Sequence, residues 1–160
     1  MTEKTIEINM GEMSVSRRSN IIRTGSVGSC LVIVLYDKEA MIGGMAHAML
    51  PTDTKNETVN SPPAVLDAKY ADTAVDNLVS QMEKNGGKRD RFEAKLIGGA
   101  RMFKILDGDK HGIGYQNAES ARKRLNEIGI PIVGEDLGGN SGRIVEFDLR
   151  NNLVNIKTKI

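Results

Sequence analysis

The clearest hydrophobic pattern is the continuous apolar run Leu31–Tyr36, which is rich in β-branched residues and predicts a fully buried strand. A second apolar segment, Met41–Leu50, comes after a short polar loop and predicts the returning strand of a hairpin. Gly43 and Gly44 lie inside that segment and indicate a bulge. Polar and apolar residues alternate over Thr5–Asn9, which predicts a short, half-buried strand near the start of the chain.

Two further segments show the periodicity of amphipathic helices. Apolar residues recur at about every fourth position over Leu66–Met82, and Ser61-Pro62 before them is a typical helix start. We therefore expect one helix from Ser61-Pro62 to about Lys84. A second helix is expected to be capped by Asn117 and ended by Gly129.

The remaining strand-like segments are short and are separated by turn residues. They are Ala94–Ile97, Pro131–Val133, and the two arms of a hairpin, Arg143–Leu149 and Leu153–Lys157. About six strands and two helices, with hairpins that favour antiparallel pairing, indicate the α+β class. At 160 residues the chain is expected to form a single domain over 1–160, with a core that needs no disulfides.

Composition narrows the range of functions. Lys and Arg number 22 against 21 Asp and Glu, so the net charge is +1, and aromatic residues make up only 4%. This balance argues against nucleic-acid binding, which usually relies on a basic face and stacking aromatic rings. No apolar run approaches the ~20 residues that span a bilayer, and the N-terminus does not resemble a signal peptide. We therefore expect a cytoplasmic protein with no membrane insertion.

The only cysteine of the chain, Cys30, is the natural candidate for reactive chemistry, because one cysteine and two histidines do not suit a metal site. If the hairpin loop consists of residues 37–40, Tyr36 pairs with Met41 and Cys30 lies directly opposite His47. Opposed side chains on one sheet face have Cβ atoms ~4.5–5.5 Å apart, so an imidazole could act on the thiol. A nucleophile beside its base is one interpretation; a buried cysteine and a core histidine are the other.

An ordered set of motifs surrounds these two residues. Thr24 precedes Gly-Ser-Cys30, and His47 opens the sequence His-Ala-Met-Leu-Pro. The further segments are Lys95–Phe103, Ile113–Asn117, and Gly129–Ile132 leading to Gly138–Arg143. In order and spacing these motifs closely resemble the chemoreceptor glutamine deamidases of the CheD family, and the likeness runs from about residue 10 to 157.

The resemblance implies a cysteine hydrolase that converts glutamine side chains of methyl-accepting chemotaxis receptors to glutamate, with release of ammonia and a Cys thioester intermediate. It implies that Cys30 is the catalytic nucleophile, that His47 is the general base and acid, and that Thr24 takes the third catalytic position. The candidates for substrate binding or for the oxyanion hole are Gly28, Ser29, Gly98 and Gly99.

The resemblance also implies a fold and partners. The expected fold is a layered sandwich of mixed, largely antiparallel β-sheet with helices packed against it. No metal and no organic cofactor are expected. The expected partners are the cytoplasmic helices of chemoreceptors, as substrate, and a CheC-type response-regulator phosphatase. Two alternatives remain open: an interaction module that binds and modulates such a phosphatase, and a cysteine hydrolase that acts on methyl esters of glutamate.

Overall fold

The structure is a computed structural model, and it describes residues 3–54, 68–102 and 112–159. Strands and helices alternate irregularly along this part of the chain. The strands are β1 (Lys4–Glu7), β2 (Met13–Arg17), β3 (Asn20–Val27), β4 (Leu31–Asp37), β5 (Ile42–Ala48), β6 (Glu93–Gly98), β7 (Ile132–Leu137), β8 (Arg143–Asp148) and β9 (Leu153–Thr158). The helices are α1 (Ala71–Lys84) and α2 (Ile113–Glu127), with a 3₁₀ turn at Arg89–Arg91.

The strands form two sheets. One has four strands in the order β1-β3-β8-β9, and the other has five in the order β2-β5-β4-β6-β7. Neighbouring strands are antiparallel except for the pairs β1–β3 and β6–β7, which are parallel. The sheets are thus mixed and largely antiparallel, as predicted.

The central strand β4 explains how the layers are arranged. Every residue of β4 is buried, because its two faces contact different layers. Leu31, Ile33 and Leu35 belong to a core that includes residues of both helices, whereas Val32 and Val34 belong to a core shared with the four-stranded sheet. The order of layers is therefore helices, five-stranded sheet, four-stranded sheet, which confirms the predicted layered sandwich.

The first helix begins later than the sequence predicts. Tyr70 has an extended backbone and bridges to Leu50, so α1 starts at Ala71. The prediction of a continuous helix is wrong for residues 68–70, and its expected start at Ser61-Pro62 lies outside the described residues. Within the described ranges, no helix is long and apolar enough to cross a membrane.

The second helix begins earlier than predicted. Its N-cap is Gly112, so Asn117 lies inside α2, fully buried, and its predicted role as a cap is wrong. The end of the helix agrees with the prediction, since Gly129 comes directly after the C-cap residue Ile128 and has a φ of 78°. A left-handed conformation just after the last turn is one that glycine adopts without strain.

The β4–β5 hairpin forms as predicted, but its register differs by two. Asp37 pairs with Ile42, so His47 lies opposite Val32 rather than opposite Cys30. The physical cause is the Asp37 carboxylate, which accepts the turn N–H groups of Glu39 and Ala40 and moves the turn to residues 38–41. A shift of two preserves the sheet face, so alternation still assigns Cys30 to the face that carries His47.

The buried Asp37 carboxylate also links the hairpin to the 3₁₀ turn. It accepts the Lys88 N–H at 3.0 Å and a bidentate pair of bonds from Arg91, in addition to the two turn N–H groups. Burial alone would raise the pKa of this carboxyl, but the hydrogen bonds from Arg91, Lys88 and Ala40 lower it overall. The carboxylate is therefore expected to stabilise the fold as an anion.

We expect Asp37→Ala to lower the free energy of unfolding by about 2–4 kcal/mol at neutral pH, because it leaves several buried donors without an acceptor. Urea denaturation measures the loss. Since folding depresses this pKa, the stabilisation is present above the unfolded value of about 3.9 and disappears as the pH falls through the lower folded value. An Asp37→Ala difference that stayed constant down to strongly acidic pH would contradict the argument.

Candidate active site

Two of the residues singled out in the sequence, Thr24 and His47, meet between the two sheets. His47 lies on β5 and is fully buried, on the face that Met45 turns toward the four-stranded sheet. Thr24 lies on β3 of that opposing sheet and is also fully buried. The two side chains therefore approach each other across the interface between the sheets.

A short chain of hydrogen bonds fixes the imidazole of His47. Its Nδ1 lies 2.7 Å from Thr24 Oγ1, and Thr24 Oγ1 lies 2.9 Å from the carbonyl oxygen of Ile8. A carbonyl can only accept, so the single hydroxyl proton of Thr24 is donated to Ile8. Thr24 must then accept the Nδ1 proton of His47. In the neutral ring this arrangement leaves Nε2 as the unprotonated nitrogen.

The surroundings keep that imidazole neutral. Burial lowers the pKa of His47 to about 4, since the buried ring is not compensated by a carboxylate. Nε2 is buried and, among the described residues, has no hydrogen-bond partner. A neutral histidine with an unpaired Nε2 is a base that is ready to accept a proton.

Cys30 is half-buried and lies immediately before β4. Alternation along β4 assigns its side chain to the face of Val32, the residue opposite His47. Burial raises the pKa of the Cys30 thiol. The thiol is not hydrogen-bonded to His47 Nε2 in this conformation. Burial disfavours the charged form of both groups, so the thiol and the imidazole are both neutral at neutral pH.

A β-bulge separates Thr24 from the cysteine. The pairing of β3 with β8 shifts by one residue between Thr24 and Val27, and Ser26 within the bulge has a φ of 55°. A bulge bends the strand and redirects the residues after it. Here it allows Thr24 to remain in the four-stranded sheet while the chain crosses, six residues later, to the five-stranded sheet at Cys30.

The predicted glycines form a close backbone contact with the cysteine loop. The Cys30 carbonyl accepts the N–H of Gly99 at 2.8 Å, and the Gly28 carbonyl accepts that of Ala100 at 2.9 Å. At Gly98, which has a φ of 115°, a Cβ atom would lie 2.5 Å from the Cys30 carbonyl oxygen. Only glycine permits this approach. The N–H of Gly99 is therefore engaged in shaping the loop.

A cavity of about 560 Å³ lies beside the cysteine loop and reaches it at Ser29 and Gly99. Its lining is mostly apolar and includes three large hydrophobic side chains that are partly exposed, Met102, Ile113 and Tyr115. Exposed apolar side chains around a concavity are typical of a binding site. The cavity could thus accept an apolar surface beside the loop that leads into Cys30.

Two groups at the site are not predicted from the sequence. One is the carbonyl of Ile8, for which the sequence holds no signal, because every residue has a carbonyl. The other is Asn117, which donates from α2 to backbone carbonyls near both Cys30 and His47. A signal for Asn117 does exist, since it is a polar residue on the small, apolar face of a helix.

The chain is similar to known proteins over most of its length. Residues 49–158 match the family model described as CheD chemotactic sensory transduction. The chain is 40% identical over 161 residues to the probable chemoreceptor glutamine deamidase CheD of Geobacillus kaustophilus, covering 98% of this chain and 94% of that protein. It is 40% identical over 156 residues to the chemoreceptor glutamine deamidase CheD of Halalkalibacterium halodurans, covering 96% and 93%. A probable deamidase of the same name from Clostridium novyi is 39% identical over 159 residues, covering 99% and 95%.

Proposed function

The chain belongs to the CheD family, and we propose that it hydrolyses the side-chain amide of chemoreceptor glutamines, with Cys30 as nucleophile and His47 as base and acid. The observation that supports these roles best is the hydrogen-bond chain from His47 through Thr24 to Ile8. It presents an unprotonated, unpaired Nε2 on the sheet face to which Cys30 belongs. Such a nitrogen has no evident structural use, but it is what a cysteine hydrolase needs.

In the first half of the reaction His47 Nε2 accepts the thiol proton as the Cys30 sulfur attacks the carbon of the substrate amide. A bond forms between sulfur and carbon, and the carbonyl oxygen becomes an oxyanion. The N–H of Cys30, the main-chain donor of the nucleophile itself, is our proposed donor to that oxyanion. His47 then carries a proton in an environment that disfavours its charge, so it is a strong acid for the next step.

In the second half His47 donates its proton to the amide nitrogen, because an amide ion is too basic to leave unaided. The carbon–nitrogen bond breaks, ammonia departs, and a thioester to Cys30 remains. His47 next accepts a proton from water as the water attacks the thioester carbon. The carbon–sulfur bond then breaks, and His47 returns the proton to the departing sulfur, which restores the thiol. One water is consumed and one ammonia is released, and the receptor side chain becomes glutamate.

The apolar cavity beside Ser29 and Gly99 is our proposed path for the substrate. A receptor glutamine lies on a helix, and a helix brings apolar neighbours with it. Met102, Ile113 and Tyr115 offer those neighbours an apolar surface beside Ser29, the residue before Cys30. Since the cytoplasmic helices of the receptor carry the glutamines, we also propose that the protein acts in the cytoplasm.

Thr24 orients the imidazole of His47, and we therefore expect Thr24→Val to lower kcat about 10–100-fold. Valine has nearly the same shape but leaves the Nδ1 proton without an acceptor, so the proton can move to Nε2 and block the base. Thr24→Ser is the matched control and should keep kcat within about threefold, because it retains the hydroxyl. Ring ¹⁵N shifts of His47 report the tautomer. An unchanged tautomer together with an unchanged kcat in Thr24→Val would contradict this role.

The function is tested by incubating a receptor cytoplasmic fragment with the native protein and, separately, with Cys30→Ala. Peptide mapping by mass spectrometry identifies each glutamine that has become glutamate. Conversion by the native protein alone supports the proposal. Absence of conversion on fragments of several receptors would refute it. Matched peptides carrying glutamine or glutamate methyl ester, assayed in parallel, determine whether the amide or the ester is preferred.

We further propose that the protein binds a CheC-type phosphatase, a partner that membership of the family supports. The apolar cavity beside Ser29 and Gly99 would serve both this partner and the receptor, so the two should compete. If Cys30→Ala binds the phosphatase and retains full signalling function, the protein acts chiefly as an interaction module. If that variant binds but signalling fails together with ammonia release, the protein acts chiefly as an enzyme.

A further inference from the structure

Asn117 is a fully buried polar side chain on a helix face that is otherwise small and apolar. The other buried members of that face are Gly114, Ala118, Ala121 and Leu125. Burying an amide is unfavourable unless it is hydrogen-bonded. An aliphatic side chain would pack α2 against the sheet without that cost, so the amide requires an explanation beyond packing.

The amide nitrogen of Asn117 contacts two segments that are far apart in the sequence. Its Nδ2 donates to the carbonyl of Ser29 at 2.9 Å and to the carbonyl of Met49 at 3.2 Å. Ser29 directly precedes Cys30, and Met49 lies two residues after His47. Carbonyls accept only from the nitrogen, which fixes the orientation of the amide. Its Oδ1 is buried and has no partner within the described part of the chain.

The contact lies where the β4–β5 ladder ends. The last pair is Leu31 with Ala48, and the next rung would pair Cys30 with Met49. At this position the main-chain groups of the two strands face away from each other: the Cys30 carbonyl accepts the N–H of Gly99, and the Met49 N–H donates to the carbonyl of Lys69. Asn117 adds a side-chain link between the two strand ends where no main-chain hydrogen bond joins them. The link lies at the level of the reactive thiol.

Gly114 allows α2 to come close enough for this link. A Cβ atom on Gly114 would lie 2.6 Å from the carbonyl oxygens of Gly99 and Ala100. Gly114 and Asn117 are three residues apart and therefore share one face of the helix. The helix is thus held directly against the segment that bonds to the Cys30 loop.

We propose that Asn117 is a positioning residue, which holds the Cys30 loop and the His47 strand at the separation that proton transfer between them requires. This inference rests on the proposed function only in taking Cys30 and His47 as the reacting pair. Its consequence is that α2, which contributes no group to the chemistry, controls the geometry of the chemistry.

The test compares Asn117→Ala with Ser120→Ala. Ser120 also lies on α2 and donates to a loop carbonyl, that of Pro51, but it contacts neither Ser29 nor Met49. We expect Asn117→Ala to lower kcat about 100-fold with KM nearly unchanged, since small misplacements of reacting groups are costly. Ser120→Ala should stay within about twofold of the native kcat.

Alkylation of Cys30 by iodoacetamide gives a readout that does not depend on the substrate. Burial raises the pKa of the native thiol, and a loosened loop should bring the midpoint of the alkylation profile back toward about 8.5. We expect this shift in Asn117→Ala and not in Ser120→Ala. A native kcat and a native profile in folded Asn117→Ala would overturn the proposal. A shifted profile in a protein that deamidates nothing would refute the proposed function but support the positioning role.

Gly114→Ala provides a second route, because it displaces α2 while leaving the amide intact. It should reproduce the fall in kcat and the shifted alkylation profile, and it decides the question alone if Asn117→Ala does not fold. In the double variant that combines Asn117→Ala with Gly114→Ala, the two losses of kcat should not add, since both changes break the same link. Fully additive losses would mean that Asn117 and Gly114 act independently, which contradicts the proposal.

Discussion

Cys30→Ser is expected to lower the deamidation rate by at least about 10⁴-fold, although it exchanges only sulfur for oxygen. A hydroxyl is a far weaker acid than a thiol, so it needs a stronger base to become a nucleophile. Serine hydrolases meet this need with a buried carboxylate that stabilises the imidazolium. In this chain the corresponding partner of His47 is the neutral hydroxyl of Thr24. Burial moreover lowers the pKa of His47 to about 4.

The site is therefore suited to a thiol and not to a hydroxyl. The measurement is single-turnover conversion of a receptor peptide, monitored by mass spectrometry, with thermal unfolding as the check on the fold. Cys30→Ala is the matched control, and it should be as inactive as Cys30→Ser. A serine variant that retained more than about one hundredth of the native rate would contradict the argument, since it would show that His47 can activate a hydroxyl.

Much of the fold can be predicted, because buried segments of the chain are apolar and this pattern is visible in the sequence. The β4 strand is apolar at every position except its last, since both of its faces are covered, and the hairpin with β5 is a consequence of that. The strand β2 is not predicted, because it is an edge strand with half-buried serines at Ser14 and Ser16. Alternation at an edge is too weak to distinguish such a strand from a polar loop.

The hairpin register shows why a site is harder to predict than a fold. Counting residues gives the right loop length but places the turn one residue too early. The turn is decided by the Asp37 carboxylate, whose partners include Arg91, more than fifty residues away. No local pattern in the sequence reveals such a contact. Moving the turn by one residue shifts the pairing of the two strands by two residues. The predicted sheet face of Cys30 is therefore unchanged, but its predicted partner across the ladder is wrong.

The residues of the candidate site also differ in whether the sequence can reveal them. Cys30, His47 and Thr24 can be named because their chemistry resides in their side chains and their motifs are intact. The carbonyl of Ile8, which fixes the proton of Thr24, cannot be named, because the main chain is the same at every position. Asn117 stands out in the sequence as a polar residue near a helix start, but its link to Ser29 and Met49 exists only in three dimensions.

His47→Asn is expected to lower kcat by about 10²–10⁴-fold, the usual contribution of a positioned acid–base group. Asparagine can place an amide near the position of Nδ1 and keep a hydrogen bond to Thr24, but it offers nothing at Nε2. The variant thus removes the base while preserving the contact between the sheets. Deamidation kinetics measure the loss, and a Tm close to native would show that the fold is retained.

The pH dependence of kcat in the native protein is a second test of the role of His47. With a pKa of about 4, His47 stays neutral as the pH falls from 7 to about 5.5, so kcat should be nearly constant over that range. An imidazole of ordinary pKa, about 6.5, would lose roughly eightfold of its neutral form over the same interval. A fall of that size in the native protein would mean that His47 is not held neutral by burial. Protonation of Nε2 at an ordinary imidazole pKa would then remove the base, and the argument that burial keeps His47 ready at mildly acidic pH would be wrong.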